Sequence, residues 1–230
     1  MKDSKLIVAL DLPTIPEALS FLDETGDLLP LVKVGPGLFF QGGEAFLELL
    51  VRRGHKVFLD VKLHDIPNTV ALAVRALSCM GLWALTVHTS GGVPMMRAAV
   101  QEAGTTLILG VTVLTSLDEG QWSEVHPSSP MRSALIARAS AAQRARLGGL
   151  VCSPQDLKTV RAASSLKTIV PGIRPALLGD DQARTATPRE AIAAGADYLV
   201  VGRPILAAKD RRQAVETILE EIEEGLSCLS

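Results

Sequence analysis

The chain has 230 residues, 47% of them hydrophobic and 21% charged, with a formal net charge of −2. So apolar a composition supports a large core and excludes a disordered chain. With no basic surplus it also excludes a dedicated nucleic-acid binder, which needs clustered Lys and Arg, while leaving room for a local site for one phosphate.

The first apolar run, residues 6–10 in "MKDSKLIVALDLP", reads as a strand. It is too short for the core of a secretion signal, and no run of about 18 apolar residues follows, so no membrane partner is expected. "TIPEALSFLDETG" reads as a helix, with Thr14 as N-cap, Pro16 in the first turn and Gly26 as terminator. "LVKVG" is the second strand and "GEAFLELLVRRG", closed by Gly54, the second helix. "KVFLDVKL" is the third strand, and "PNTVALAVRALSCMG" the helix opened by Pro67 and closed by Gly81. "WALTVHT" and "MMRAAVQEAG" make a fourth pair. "TLILGVTVLT" is the fifth strand, followed by a polar loop and the Ala- and Arg-rich helix "MRSALIARASAAQRARLG". "GLVCS" with "PQDLKTVRAA", "KTIVPG" with "TPREAIAAG", and "YLVVG" with a helix over about residues 210–225 complete the series.

That is eight strands, each followed by a helix, with no linker or composition break between them. The strands are continuous Val, Ile and Leu runs, as expected when both sheet faces are covered. A single α/β domain over residues 1–230, folded as a (β/α)8 TIM barrel, is the economical reading. A doubly wound sheet is the alternative, but no G-x-G-x-x-G follows the first strand.

Three cysteines (Cys79, Cys152, Cys228) make neither a metal spacing nor an even disulfide set, and are expected to be reduced, buried thiols of a cytoplasmic protein. Four histidines (His55, His64, His88, His126) show no HxH or HxxxH pair, so no metal site is expected.

In a barrel of this kind the chemistry sits at the C-terminal ends of the strands. The first strand ends at Asp11, the second carries Lys33, the third Asp60 and Lys62, and the fifth ends at Thr115. Asp60 and Lys62 are two apart and share a strand face. Taken singly, each charge reads as structural: Asp60–Lys62 as an ion pair closing the mouth, Asp11 as a cap before Pro13, Asp65 as a partner for N–H groups opening the third helix. His64 reads as a residue of the helix start. Four alternating charges at neighbouring strand ends are not explained that way, since together they compensate one another's burial.

The far side has the makings of a phosphate site. The seventh strand runs into Pro171-Gly172-Ile173-Arg174 and the eighth into Gly202-Arg203. Glycines let the backbone approach a ligand, arginines supply charge and paired donors, and Gln182 and Arg184 lie in the seventh loop. Residues 173–187 are long for such a connection, which suggests a lid.

Here the residues converge on a known pattern. "LDVKLHDIPNTV" resembles the signature of orotidine 5′-monophosphate decarboxylases of the bacterial type. The resemblance continues in order through "ALDLP", "VKVG", "VTVLTS", "VCSP", "PGIRP", "DDQAR" and "LVVGRPI", nearly the whole chain. It implies decarboxylation of orotidine monophosphate to uridine monophosphate and carbon dioxide in pyrimidine synthesis, without cofactor or metal, by a homodimer with shared active sites. The family's Lys-Asp-Lys-Asp tetrad falls on Lys33, Asp60, Lys62 and Asp65, with Asp65 and Thr69 supplied to the partner's site. Lys62 would stabilise and protonate the C6 carbanion. Asp11 and Lys33 would contact the ribose, Thr115 would line the site, and Arg174, Gln182, Gly202 and Arg203 would hold the phosphate. The chain departs from the pattern at Val170, at Thr185 and through residues 119–130, none of them a tetrad position. Two alternatives stand: a metal-dependent sugar-phosphate decarboxylase or synthase sharing the Asp60-x-Lys62-x-x-Asp65 strand, and a non-catalytic nucleotide-binding barrel.

Overall fold

The computed structural model describes residues 4–175 and 186–228. Eight parallel strands close on themselves in chain order, the first pairing with the eighth. They are β1 (Leu6–Ala9), β2 (Leu31–Val34), β3 (Lys56–Leu63), β4 (Ala84–His88), β5 (Leu107–Val111), β6 (Gly149–Val151), β7 (Lys167–Val170) and β8 (Tyr198–Val201). The helices are α1 (Ile15–Thr25), α2 (Pro36–Arg52), α3 (Pro67–Ser78), α4 (Gly92–Glu102), α5 (Glu119–Val125), α6 (Met131–Ala145), α7 (Leu157–Ala163), α8 (Pro188–Ala193), α9 (Arg203–Leu206) and α10 (Arg211–Ser227). The expected TIM barrel is therefore present.

Local chemistry explains the helix starts. The Thr14 hydroxyl accepts from the Glu17 N–H at the head of α1, and Gly26 leaves the helix at φ 59°. Asp118 with Gln121, and Thr187 with Glu190, form reciprocal capping boxes on α5 and α8. Asp210 accepts from the Gln213 N–H at the start of α10.

Two hydrophobic layers hold the barrel. The larger lies between the strands' outer faces and the helices, and includes Leu6, Val8, Phe21, Leu47, Leu85 and Ile218. The smaller fills the barrel interior with Ile7, Ala9, Leu31, Phe58, Ala84, Leu109, Ile169 and Val200. Below it Phe58, Trp83 and Tyr198 meet edge to face, with ring centroids 6.3 and 5.2 Å apart.

The sequence reading departs from the structure in five places. α2 begins at Pro36, because Pro presets the first helical turn, and Gly43 at φ 53°, ψ −146° breaks it; the expected helix was only the second piece. β5 ends at Val111, so Thr115 lies on the following loop. The segment expected as a polar loop contains α5, and α9 follows Gly202 directly. Of the three thiols only Cys152 is buried; Cys79 and Cys228 are exposed. No helix among the described residues is long and apolar enough to cross a membrane.

Candidate active site

The strand ends of one barrel face open into a cavity of about 710 Å³. Asp11, Lys33, Asp60, Lys62, Thr115, Arg174, Gly202 and Arg203 all line it, as the strand-end reasoning expects. Asp65 and Thr69 are exposed and do not line it. Gln182 and Arg184, expected on a lid, lie outside the described residues.

The charges make one chain of contacts. The Lys62 ammonium donates to both carboxylate oxygens of Asp60, at 3.0 Å each. The Lys33 ammonium lies 3.7 Å from Asp60 Oδ2 and donates to Asp11 Oδ1 at 3.1 Å. Exposure is graded along the chain, the side chains of Lys33 and Asp60 being 12% and 14% exposed, Lys62 36% and Asp11 56%. Asp60 is thus the half-buried centre, held between two cations.

The Asp60–Lys62 geometry does not come from strand alternation alone. On β3 the register runs from Leu59 opposite Leu85 to Leu63 opposite Val87, so four steps on β3 match two on β4. The surplus is absorbed as a bulge, with Lys62 at φ 50°. A non-glycine residue in the left-handed region costs on the order of 1–3 kcal/mol and persists only where its surroundings fix it. Here the Lys62 N–H donates to the Thr86 hydroxyl of β4 at 2.9 Å, and that hydroxyl donates to Asp60 Oδ1 at 3.0 Å. Thr86 is fully buried. It is a site residue the sequence reading missed; the available signal was a polar residue alternating with Ala84 on an apolar strand.

Asp65 has a local role within the single chain: its carboxylate accepts the Ile66 N–H at 2.6 Å, just before α3. His64 packs its ring 5.3 Å from that of His88 at the end of β4. His88 titrates below its ordinary value, first because burial disfavours its charged form, then because positive charge on His64, Lys62 and Arg138 would repel its own; Asp60 opposes them.

On the opposite wall, Gly172 sits at φ 78°, which favours glycine, and turns the chain from β7 toward Arg174. The Arg174 N–H donates to the Ala186 carbonyl at 3.0 Å, and Ile173 bridges to Ala186, so the two ends of the long seventh connection are tied together. At Gly202 a side-chain Cβ would come within 3.3 Å of Ala9 Cβ and 3.6 Å of Asp11 Oδ2, so glycine keeps this wall close to the charge chain. Arg203 follows at the first turn of α9. Beyond β5, Thr115, Ser116 and Asp118 line the cavity just ahead of α5. That helix is anchored by Trp122, 2% exposed, whose indole N–H donates to Ser129 O at 2.6 Å. The Trp122 ring lies 4.0 Å from the His126 ring and under the Arg138 guanidinium at 5.1 Å. Among the described residues, no group of three or more His, Cys, Asp and Glu is placed to hold a metal ion.

A cation fixed on a half-buried carboxylate, facing a cavity with two arginines on its far wall, can hold an anionic ligand at one end and act on a developing negative charge at the other. Comparison with known proteins agrees with this arrangement. The family described as "Orotidine 5'-phosphate decarboxylase / HUMPS family" matches residues 4–218. The orotidine 5'-phosphate decarboxylase of Pseudomonas putida (strain GB-1) is 44% identical over 224 residues, 94% of this chain and 96% of its own. That of Halorhodospira halophila is 45% identical over 226 residues, 95% of each chain. The crystal structure of the orotidine 5'-phosphate decarboxylase from Lactobacillus acidophilus matches with a TM-score of 0.85 at 35% identity, covering 96% of this chain and 99% of the other. With a family match over nearly its whole length and relatives this similar, the chain belongs to the orotidine 5'-phosphate decarboxylase / HUMPS family.

Proposed function

We propose that this chain decarboxylates orotidine 5′-monophosphate to uridine 5′-monophosphate and carbon dioxide, and that residues 1–230 act as one such domain in the cytoplasm. The observation that carries the reading is the Lys62 ammonium held on both oxygens of Asp60 at the wall of the cavity. It is supported by relatives that bear this name over almost their full length.

Heterolysis of the bond between C6 and the carboxyl group leaves an electron pair on C6 with no conjugated sink. The Lys62 ammonium, fixed by Asp60, stabilises that pair and then gives it a proton. Lys33 joins Asp60 to Asp11, and both Lys33 and Asp11 reach the ribose, while Thr115 lines the site. Arg174, Gly202 and Arg203, joined by Gln182, hold the phosphate. Their binding energy, spent far from C6, orients the reacting bond.

The active form is a homodimer in which Asp65 and Thr69 enter the partner's site. Both are exposed here and absent from the cavity of their own chain. They are followed by exposed apolar side chains, Ile66 at 65% and Leu72 at 54%. A cytoplasmic location fits two exposed, unpaired thiols, Cys79 and Cys228.

The test is a spectroscopic assay of orotidine monophosphate loss, run with and without EDTA and repeated with phosphate-free orotidine. Turnover that survives EDTA and drops steeply for orotidine is expected. No turnover of orotidine monophosphate, with EDTA-sensitive turnover of a keto-sugar phosphate, would instead support a metal-dependent sugar-phosphate enzyme with the same Asp-x-Lys-x-x-Asp strand, and binding without turnover would support a non-catalytic barrel.

A further inference from the structure

We infer that Thr86 is a positioning residue for this reaction, bracing the Asp60–Lys62 pair from the neighbouring strand; the inference rests on the functional reading above. A hydroxyl has one proton to give and two lone pairs. The Lys62 N–H can only donate, so at 2.9 Å it takes a Thr86 lone pair. The Thr86 proton then points to Asp60 Oδ1, 3.0 Å away. One buried side chain therefore fixes both the left-handed backbone of Lys62 and the plane of the Asp60 carboxylate.

The remaining contacts to Asp60 show why such a brace matters. They come from the ammonium groups of Lys62 and Lys33. When Lys62 gives its proton to C6 it becomes a neutral amine, and its electrostatic hold on Asp60 goes with that proton. The Thr86 hydrogen bond carries no charge from its donor and persists through the step. It keeps the carboxylate in place for the returning ammonium and holds the left-handed Lys62 backbone of the β3 bulge.

Thr86→Ser, Thr86→Ala and Thr86→Val separate this role from packing. Ser and Ala differ by the hydroxyl alone, and Val keeps the branched shape without it. Without the brace the Asp60–Lys62 pair is misplaced against the reacting bond, and a misplacement of that kind lowers kcat by about tenfold to a hundredfold. We expect that loss in Ala and Val, with KM for orotidine monophosphate within about threefold of the parent, and Ser within about threefold in kcat. Equal kcat in Ser and Ala overturns the role, as does a rise in KM at unchanged kcat. If circular dichroism shows that Ala and Val do not fold while Ser does, the hydroxyl is a requirement of the fold and the positioning role also falls. Should the unmodified chain fail to decarboxylate orotidine monophosphate, the functional reading fails by itself. The brace is then decided by the crystal structure of Thr86→Ala: a displaced Asp60 carboxylate and a relaxed Lys62 backbone support it, and unchanged positions overturn it.

Discussion

The floor and the mouth of the barrel are built from the same strands, on the same inward face, two residues apart. β2 passes from Leu31 to Lys33 and β3 from Phe58 to Asp60, while β4 passes from Ala84 to the buried Thr86 whose hydroxyl donates to Asp60. Two residues of strand are about 6–7 Å. Within that distance the interior changes from a dry plug, with Phe58 at 1% exposure, to a charged cavity wall. The plug excludes water from beneath the charges, which strengthens each contact above it. Stability and chemistry are thus segregated by level along the barrel axis, and substitutions at paired positions should have opposite signatures.

The largest effect is expected at the mouth. On the proposed mechanism, Lys62→Ala removes both the cation and the proton donor, effects worth about 10²–10³-fold and 10²–10⁴-fold. Turnover should fall by at least about 10⁴-fold, with uridine monophosphate binding retained by calorimetry; near-normal turnover would remove Lys62 from the mechanism. On the proposed shared site, Asp65→Ala should be inactive for a different reason, because its side chain would serve the other subunit. Heterodimers that pair it with Lys62→Ala contain one site with every group present and should regain activity. No recovery in verified heterodimers would contradict the shared site.

At the floor the signature reverses. Phe58→Ala should destabilise the chain by about 3–5 kcal/mol in urea unfolding while the folded fraction keeps its kcat. A kcat loss at full folding would show that the two levels are not separable.

The smallest effect concerns His88, at the border of the two. Its folded pKa lies below the ordinary 6.5, so the unfolded chain takes up a proton first as pH falls. The stability it contributes is complete above about pH 6.5 and is lost as pH falls through the folded value. His88→Gln should flatten that part of the stability-versus-pH curve, measured by urea midpoints between about pH 7 and pH 5. An unchanged slope would assign it to other groups.

The two levels were not equally legible in the sequence. The strands stand out as Val, Ile and Leu runs, and the charges at their ends contrast with that background, so the sequence alone places Asp11, Lys33, Asp60 and Lys62 at the mouth. The bulge cannot be placed that way, because Lys62 adopts a left-handed backbone without the glycine that usually marks one. It is enforced from β4 by Thr86, a contact 24 residues away in sequence. Helix α5 was overlooked for a milder reason: its Asp118–Gln121 capping box was visible, but only one buried residue, Trp122, gives the segment an apolar face. α2 was shortened because Gly43 looks like a helix start when it is a break between two helical pieces. Asp65 is ambiguous on either basis, since a residue that caps locally in one chain can also reach across to another.

Trp122 has a further consequence when set beside Trp83. The chain has two tryptophans, and the fold puts one at each end of the barrel: Trp83 among the floor aromatics just before β4, and Trp122 stacked on His126 behind the cavity rim. Each level therefore carries its own intrinsic fluorophore. With either indole replaced by Phe, the emission of the other reports separately on loosening of the plug or on ligand arrival at the rim, and the sequence of those two events during a single turnover becomes an optical measurement.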